Sequence, residues 1–416
     1  MSDLVDAFIQ AACIPLDKSH TSGTLDAARE ILLWHPEVAT ADIRSSAILG
    51  NDSAVRQFVQ VNAANAVARG GPYGWDPLTY LCFSRFLQLD KTRSDGFLRA
   101  ATALLQAGAD PNTGFFADEH LPSPIFESVL YGAAGVAHHA GLTQLLMDQG
   151  ADPNDGETEY HAPEGFDNRP MEIIVESGRL NPMGLTTMLH RKMDWTDFKG
   201  VAWLLEHGAD ANAVSHWGQR ALDHAVVRDN SARFFEILLD YGADPRLMSS
   251  EGVNAFMRAA GMGRADALDI FARRGFAFVL EGDSAFLAAC ARGDAKSAAQ
   301  MVADDPDLVA RIERERPETL PNFAGAGNSA GVKILLDLGF QIESRVRGHT
   351  ALHMAVWRER LPTVKLLLSR GASVEARTSR GENTLALAER AMTERSEWTP
   401  HETSAVLREI AKAANA

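Results

Sequence analysis

The tripeptide Gly-Ala-Asp recurs down this chain, each time just after a pair of leucines. Gly108-Ala109-Asp110-Pro111-Asn112 follows Leu104-Leu105, and Gly150-Ala151-Asp152-Pro153-Asn154 follows Leu145-Leu146. Gly208-Ala209-Asp210 and Gly242-Ala243-Asp244-Pro245 repeat the arrangement, with diverged copies at Gly275, Gly339 and Gly371-Ala372. Gly208 to Gly242 is 34 residues, Gly242 to Gly275 is 33, and Gly339 to Gly371 is 32. A fixed period of this length excludes a single globular core and predicts a stack of helical units. One unit cannot bury its own apolar face, so stability has to come from its neighbours.

Each recurring residue has a physical role. The leucines make the apolar stripe that packs on the next unit. The glycine ends the helix, where freedom from Cβ strain allows a positive φ. The aspartate and asparagine of the following turn bond nearby backbone N–H groups, and Pro111, Pro153 and Pro245 prevent the helix from continuing.

The other half of the period carries Gly348-His349-Thr350-Ala351-Leu352-His353-Met354-Ala355. This stretch resembles the G-x-T-P-L-H-x-A pattern of ankyrin repeats, and the likeness extends over most of residues 40–390. The resemblance implies an all-α ankyrin-repeat solenoid, strongly curved, of stacked helix-turn-helix repeats with short hairpin or loop fingers. The expected organisation is an irregular cap over 1–40 and an array over 41–380, with insertions near 84–96 and 155–183. A capping repeat over 381–416 closes it. The resemblance also implies that His190 and His353, at the histidine position of the pattern, brace turns between repeats. Asp223 fills the same slot as a carboxylate.

Composition narrows the function. The formal net charge is −15, against the basic face that nucleic acid or an anionic membrane demands. Cys13, Cys82 and Cys290 fit neither a disulfide framework nor a metal motif. His138-His139 is no metal pair, since adjacent helical side chains point about 100° apart. No cofactor is expected. The beginning of the chain lacks a basic, apolar leader and no stretch reaches the ~20 apolar residues of a membrane span, so a cytoplasmic protein, monomeric, is expected. Nucleotide-binding, serine-hydrolase, zinc-protease and dithiol motifs are missing.

The resemblance implies a concave surface built from finger tips and the ends of first helices. Those positions need no fixed residue for folding. Aromatic residues occupy many of them: Tyr73, Trp75, Phe83, Tyr131, Trp195, Trp217 and Trp357. Such residues dominate binding hot spots, because they bury a large area and keep a polar handle. Polar groups fall among them: Asp194, His216, Gln219, Arg228, His349 and Arg358. The expected function is a scaffold that binds a protein partner through this face. The alternative is a small-molecule ligand pocket, or an unusual acid–base lyase or isomerase with Asp194, His216, Arg228 and His349 as its catalytic residues, supplying acid, base and cation.

Overall fold

The Gly-Ala-Asp segments turn the chain as their chemistry requires. Gly108, Gly150, Gly208 and Gly242 have φ of 100°, 96°, 96° and 83°. The aspartate after each accepts a hydrogen bond from the backbone two residues on, as in Asn112 N to Asp110 Oδ1 at 2.9 Å and Asn212 N to Asp210 Oδ1 at 2.8 Å. The asparagine then reaches the next repeat. Asn112 donates to Gly150 O and accepts from Asp152 N, and Asn154 does the same with Arg179 O and Asn181 N. Short polar side chains thus rivet successive turns.

The computed structural model describes residues 2–14, 23–117, 123–396, 408, 410 and 412. The fold is an all-α ankyrin solenoid in two units, Met1–His216 and Trp217–Ala416. In the first, α1 (Ser2–Ala12) and α2 (Asp26–Trp34) precede α3 (Ile43–Ile48) and α4 (Asp52–Val61). Next come α5 (Pro77–Cys82), α6 (Arg85–Leu89) and α7 (Ser94–Gln106), then an antiparallel hairpin of β1 (Gly114–Ala117) and β2 (Ile125–Ser128). A short α8 (Val129–Tyr131) widens into a π-turn, Gly132–Val136, before α9 (Ala140–Asp148). The unit ends with α10 (Glu157–His161), α11 (Arg169–Glu176), α12 (Pro182–Asp194) and α13 (Phe198–Glu206).

Residues 84–96 contribute α6, which lies between the two helices of its repeat. Residues 155–183 contribute α10 and α11. Of these, α10 packs between the π-turn and α12, and α11 packs on α9.

The second unit contains α14 (Ala221–Val227), α15 (Ala232–Asp240), α16 (Ala255–Gly261), α17 (Ala265–Arg273), α18 (Gly282–Ala291) and α19 (Ala295–Asp304). An additional α20 (Leu308–Glu315) precedes α21 (Thr319–Gly325) and α22 (Ser329–Asp337). The two-residue strands β3 (Arg345–Val346) and β4 (His349–Thr350) form a finger before α23 (Ala351–Trp357), α24 (Leu361–Ser369) and α25 (Thr384–Ser396). First helices stack, α14 on α16, α16 on α18 and α21 on α23. Leu204, Leu238, Leu335 and Leu367 are fully buried between layers.

The Thr-x-x-His pattern works as its chemistry suggests at one site. The His353 ring accepts from Thr350 N at 3.1 Å, and its other nitrogen meets Ala376 O at 3.0 Å, a bond to the following turn. At His190 the ring bonds instead to Thr186 O in its own helix.

A second regularity lies between the two helices of a repeat. The first helix ends in a residue with positive φ whose N–H bonds three residues back, and the next N–H bonds five back. Gly263, Gly293 and Gly327 fill this position, at φ of 70°, 77° and 77°. The same bonds form at Thr196, Asp229 and Glu359, non-glycine residues at φ of 52°, 59° and 59°. His138 follows the π-turn at φ 44°. The residue after this position caps the second helix: Asn51, His139, Asp197, Asp294 and Asn328 each accept from the N–H three residues on. Arg264 and Arg360 sit in that slot without capping.

Candidate functional site

In the first unit the expected aromatic face is partly core. Trp75 stacks on Phe115 of β1 with ring centres 4.2 Å apart, and packs against Tyr73, Tyr80 and Phe83. The β1–β2 hairpin lays Phe115 over Trp75 and Phe83. Trp75 keeps 3% of its surface in solvent, and Phe83 and Tyr131 are buried as well. These three therefore hold the unit together and offer no open surface. Tyr73, at the edge, is half-buried.

Beside Tyr131 lies a charged cluster built on α10 and the loop after it. His161 pairs through one ring nitrogen with Glu157 and through the other with Glu164, both at 3.2 Å. Glu164 also binds Arg191 at 2.5 Å, and Arg191 binds Asp194 at 2.6 Å. The Arg191 guanidinium lies 4.0 Å from the centre of the Tyr160 ring, and the Tyr131 ring lies tilted at 39° with its centre 5.1 Å from that of His161. Burial by itself would push the His161 pKa down. The bonds and charges of Glu157 and Glu164 outweigh it and hold the imidazole up to about 9. Burial likewise pushes Glu164 up, and His161 and Arg191 bring it below the usual carboxylate range. At neutral pH His161 is an imidazolium with both nitrogens engaged, so the cluster presents fixed charge rather than a free base.

The sequence pointed to Asp194 but not to His161, Glu157, Glu164 or Arg191. They lie in and beside residues 155–183, where the repeat pattern fades. Nearby, the fully buried Lys192 donates to Asp197 at 3.1 Å and to Gly165 O at 2.9 Å. Trp195 is half-buried, with its ring edge-on to Phe166. His216, the last residue of this unit, is exposed.

The second unit opens on Trp217, 42% exposed before α14. Gln219 bonds to the His224 ring at 3.3 Å. Arg228 is exposed where α14 ends. His349, in the β3–β4 finger, bonds to Arg347 O at 3.1 Å. Trp357 lies beneath the Arg390 guanidinium, 4.7 Å from the ring centre. Asp223 is buried and pairs with Arg258 at 3.1 Å, joining α14 to α16 rather than to a turn.

Arg358 leads to a cluster that sequence reasoning missed. It binds Asp229 at 3.3 Å, and the same carboxylate binds Arg264 at 3.1 Å and also Arg360. Arg264 takes Asp266 in a two-point contact of 2.8 and 2.7 Å. Burial pushes the Arg358 pKa down; Asp229 opposes this, and Arg360 and Arg264 add to it. The readable signal is the broken local rule. Asp229 and Glu359 stand where neighbouring repeats use glycine, and Arg264 and Arg360 stand where they use Asp or Asn.

Among the described residues, no group of three or more His, Cys, Asp or Glu is placed to hold a metal ion. No helix among them is long and apolar enough to cross a membrane.

A family model for ankyrin repeats, in three copies, matches residues 286–378. The chain is 41% identical over 76 residues to the human BCL-6 corepressor-like protein 1, covering 18% of this chain and 4% of that protein. It is 25% identical over 265 residues to the ankyrin repeat domain-containing protein SAT10 of Stachybotrys chartarum (strain CBS 109288 / IBT 7711), covering 59% of this chain and 13% of that one. The chain thus spans a small part of the length of these relatives. Among solved structures, the human ASB11 ankyrin repeat domain aligns with 51% of this chain and 99% of its own, at 22% identity and a TM-score of 0.24. The ankyrin repeat domain of Bcl-3 aligns with 48% of this chain and 92% of its own, at 18% identity and a TM-score of 0.23.

Proposed function

We propose, from the premise that this chain belongs to the ankyrin-repeat family, that it is a scaffold for another protein and that Trp217 is a contact residue. Ankyrin repeats in general are protein–protein interaction modules. The observation that carries the reading is the exposure of Trp217, 42% of its surface, at a turn before a first helix. The exposed part of such a tryptophan can be buried in a complex, where it contributes a large apolar area and a polar handle. Gln219 and the exposed Arg228 lie in the same repeat and supply polar contacts at its edge. A cytoplasmic location fits the three cysteines, all buried as free thiols.

The experiment starts from binders selected from a displayed peptide library against the whole chain. Trp217→Ala should keep the melting temperature and weaken such binders about thirty-fold, the equivalent of about 2 kcal/mol. A collapsed melt would place Trp217 in the core, and unchanged affinity would move the contact elsewhere.

A second reading, a small-molecule site in the first unit, is favoured by one observation. Glu157, His161, Glu164, Arg191 and Asp194 meet in one partly buried network beside two tyrosines. Turnover of a small molecule that Asp194→Asn abolishes while binding survives would put this reading first.

A further inference from the structure

The cluster around Asp229 is unlike the rest of the chain in three respects. Its charge is locally basic, although the chain carries a net −15. Of the carboxylates bonded to its three guanidiniums, Asp266 already takes Arg264 at two points. Among the described residues, Asp229 pairs with Arg358 and Arg360 as well as with Arg264. Its residues also break the repeat rule. Arg264 and Arg360 occupy the position before α17 and α24, helices of nine residues whose positive ends disfavour a cation. An anion at the same spot is favoured by those helix ends and by the guanidiniums together. Finally, Asp229 reaches the cluster from a left-handed backbone position that costs an L-residue energy and that glycine fills in sister repeats.

We propose that Arg264, Arg358 and Arg360 form an oxyanion-binding site, occupied in the free protein by the Asp229 carboxylate, which the phosphate or carboxylate group of a small ligand displaces. The three guanidiniums surround a single carboxylate, with one of its oxygens taken by Arg264 and the other by Arg358 and Arg360. A phosphate offers three acceptor oxygens to the same donors. Arg360 forms the solvent-facing rim, with 35% of its side chain exposed, while Asp229 and Arg264 keep 13% and 5%. The site belongs to the second unit alone and stands independently of the scaffold reading.

The test titrates inorganic phosphate, and separately acetate, into the full chain at constant ionic strength set with chloride. Melting temperature and the Nε–H resonances of the arginines report binding. Wild type should show a saturable response to at least one of the two anions, and the tighter one identifies the group. Asp229→Asn, which removes the internal competitor and tolerates the left-handed backbone, should bind that anion at least tenfold more tightly. Adding Arg358→Gln to that variant should abolish the response. Responses of Asp229→Asn that match chloride, or that are no tighter than wild type, overturn the proposal and leave a purely structural clasp. If Asp229→Asn fails to fold, wild type against Arg360→Gln decides: loss of saturation supports the site, and equal binding overturns it.

Discussion

Asp229 accepts a hydrogen bond from Arg360, 131 residues further along the chain. Repeat arrays normally hold together through nearest neighbours only. Asn328 also skips a repeat, donating to Gly263 O at 2.8 Å as well as to Ala291 O at 2.7 Å. The second unit is therefore tied across its repeats and not only along them. Asp229→Ala should cost about 2 kcal/mol, because it leaves partly buried guanidiniums without their carboxylate. Urea denaturation of the variant checks this. A loss within experimental error would show that the clasp adds nothing to stability.

The interlayer leucines should cost more. Leu238 and Leu367 are fully buried, so Leu238→Ala or Leu367→Ala loses transfer energy and leaves a cavity. The expected cost is about 2–5 kcal/mol each. Thermal and urea melts of each variant measure it, and values below about 1 kcal/mol would contradict the packing.

Two histidines should tilt stability with pH in opposite windows. Burial pushes the His353 pKa down to about 4, so the folded state prefers the neutral ring. Its contribution is complete above the ordinary value near 6.5 and is lost as pH falls through about 4. For His161, held up to about 9, the contribution is complete below 6.5 and is lost as pH rises through about 9. Stability profiles of His353→Asn and His161→Gln against wild type should therefore diverge on different sides. The first gap should shrink toward acid and the second toward base. Gaps that stay constant across these windows would rule out the linkage.

Charge predicts a negative result. With a net −15, the chain should show no submicromolar, salt-sensitive affinity for duplex DNA at physiological salt. A fluorescence anisotropy titration at two salt concentrations is sufficient to test this.

The fold was legible because its signals are local and repeated. Gly-Ala-Asp, the leucine pairs and Thr350-x-x-His353 each do in space what their chemistry implies. The site was legible in part. Trp217, expected on the surface, is 42% exposed. Trp75 and Phe83 read as surface and are core, because the covering Phe115 comes from a hairpin that interrupts the period, and Tyr131 is buried against Phe83 and His161. His161 stayed hidden where the pattern fades. Asp229, Arg264 and Arg360 become visible only when the inter-helix turns are aligned and the missing glycines and caps are noticed.

Those missing glycines bear on any attempt to stabilise this chain. Regularising the repeats would place glycine at 138, 196, 229 and 359, relieving about 1 kcal/mol of backbone strain at each. At 229 the same change would delete the carboxylate that three arginines share. A version idealised for heat resistance would thus gain in the turn and lose what the turn holds, a conflict between robustness and purpose confined to single residues.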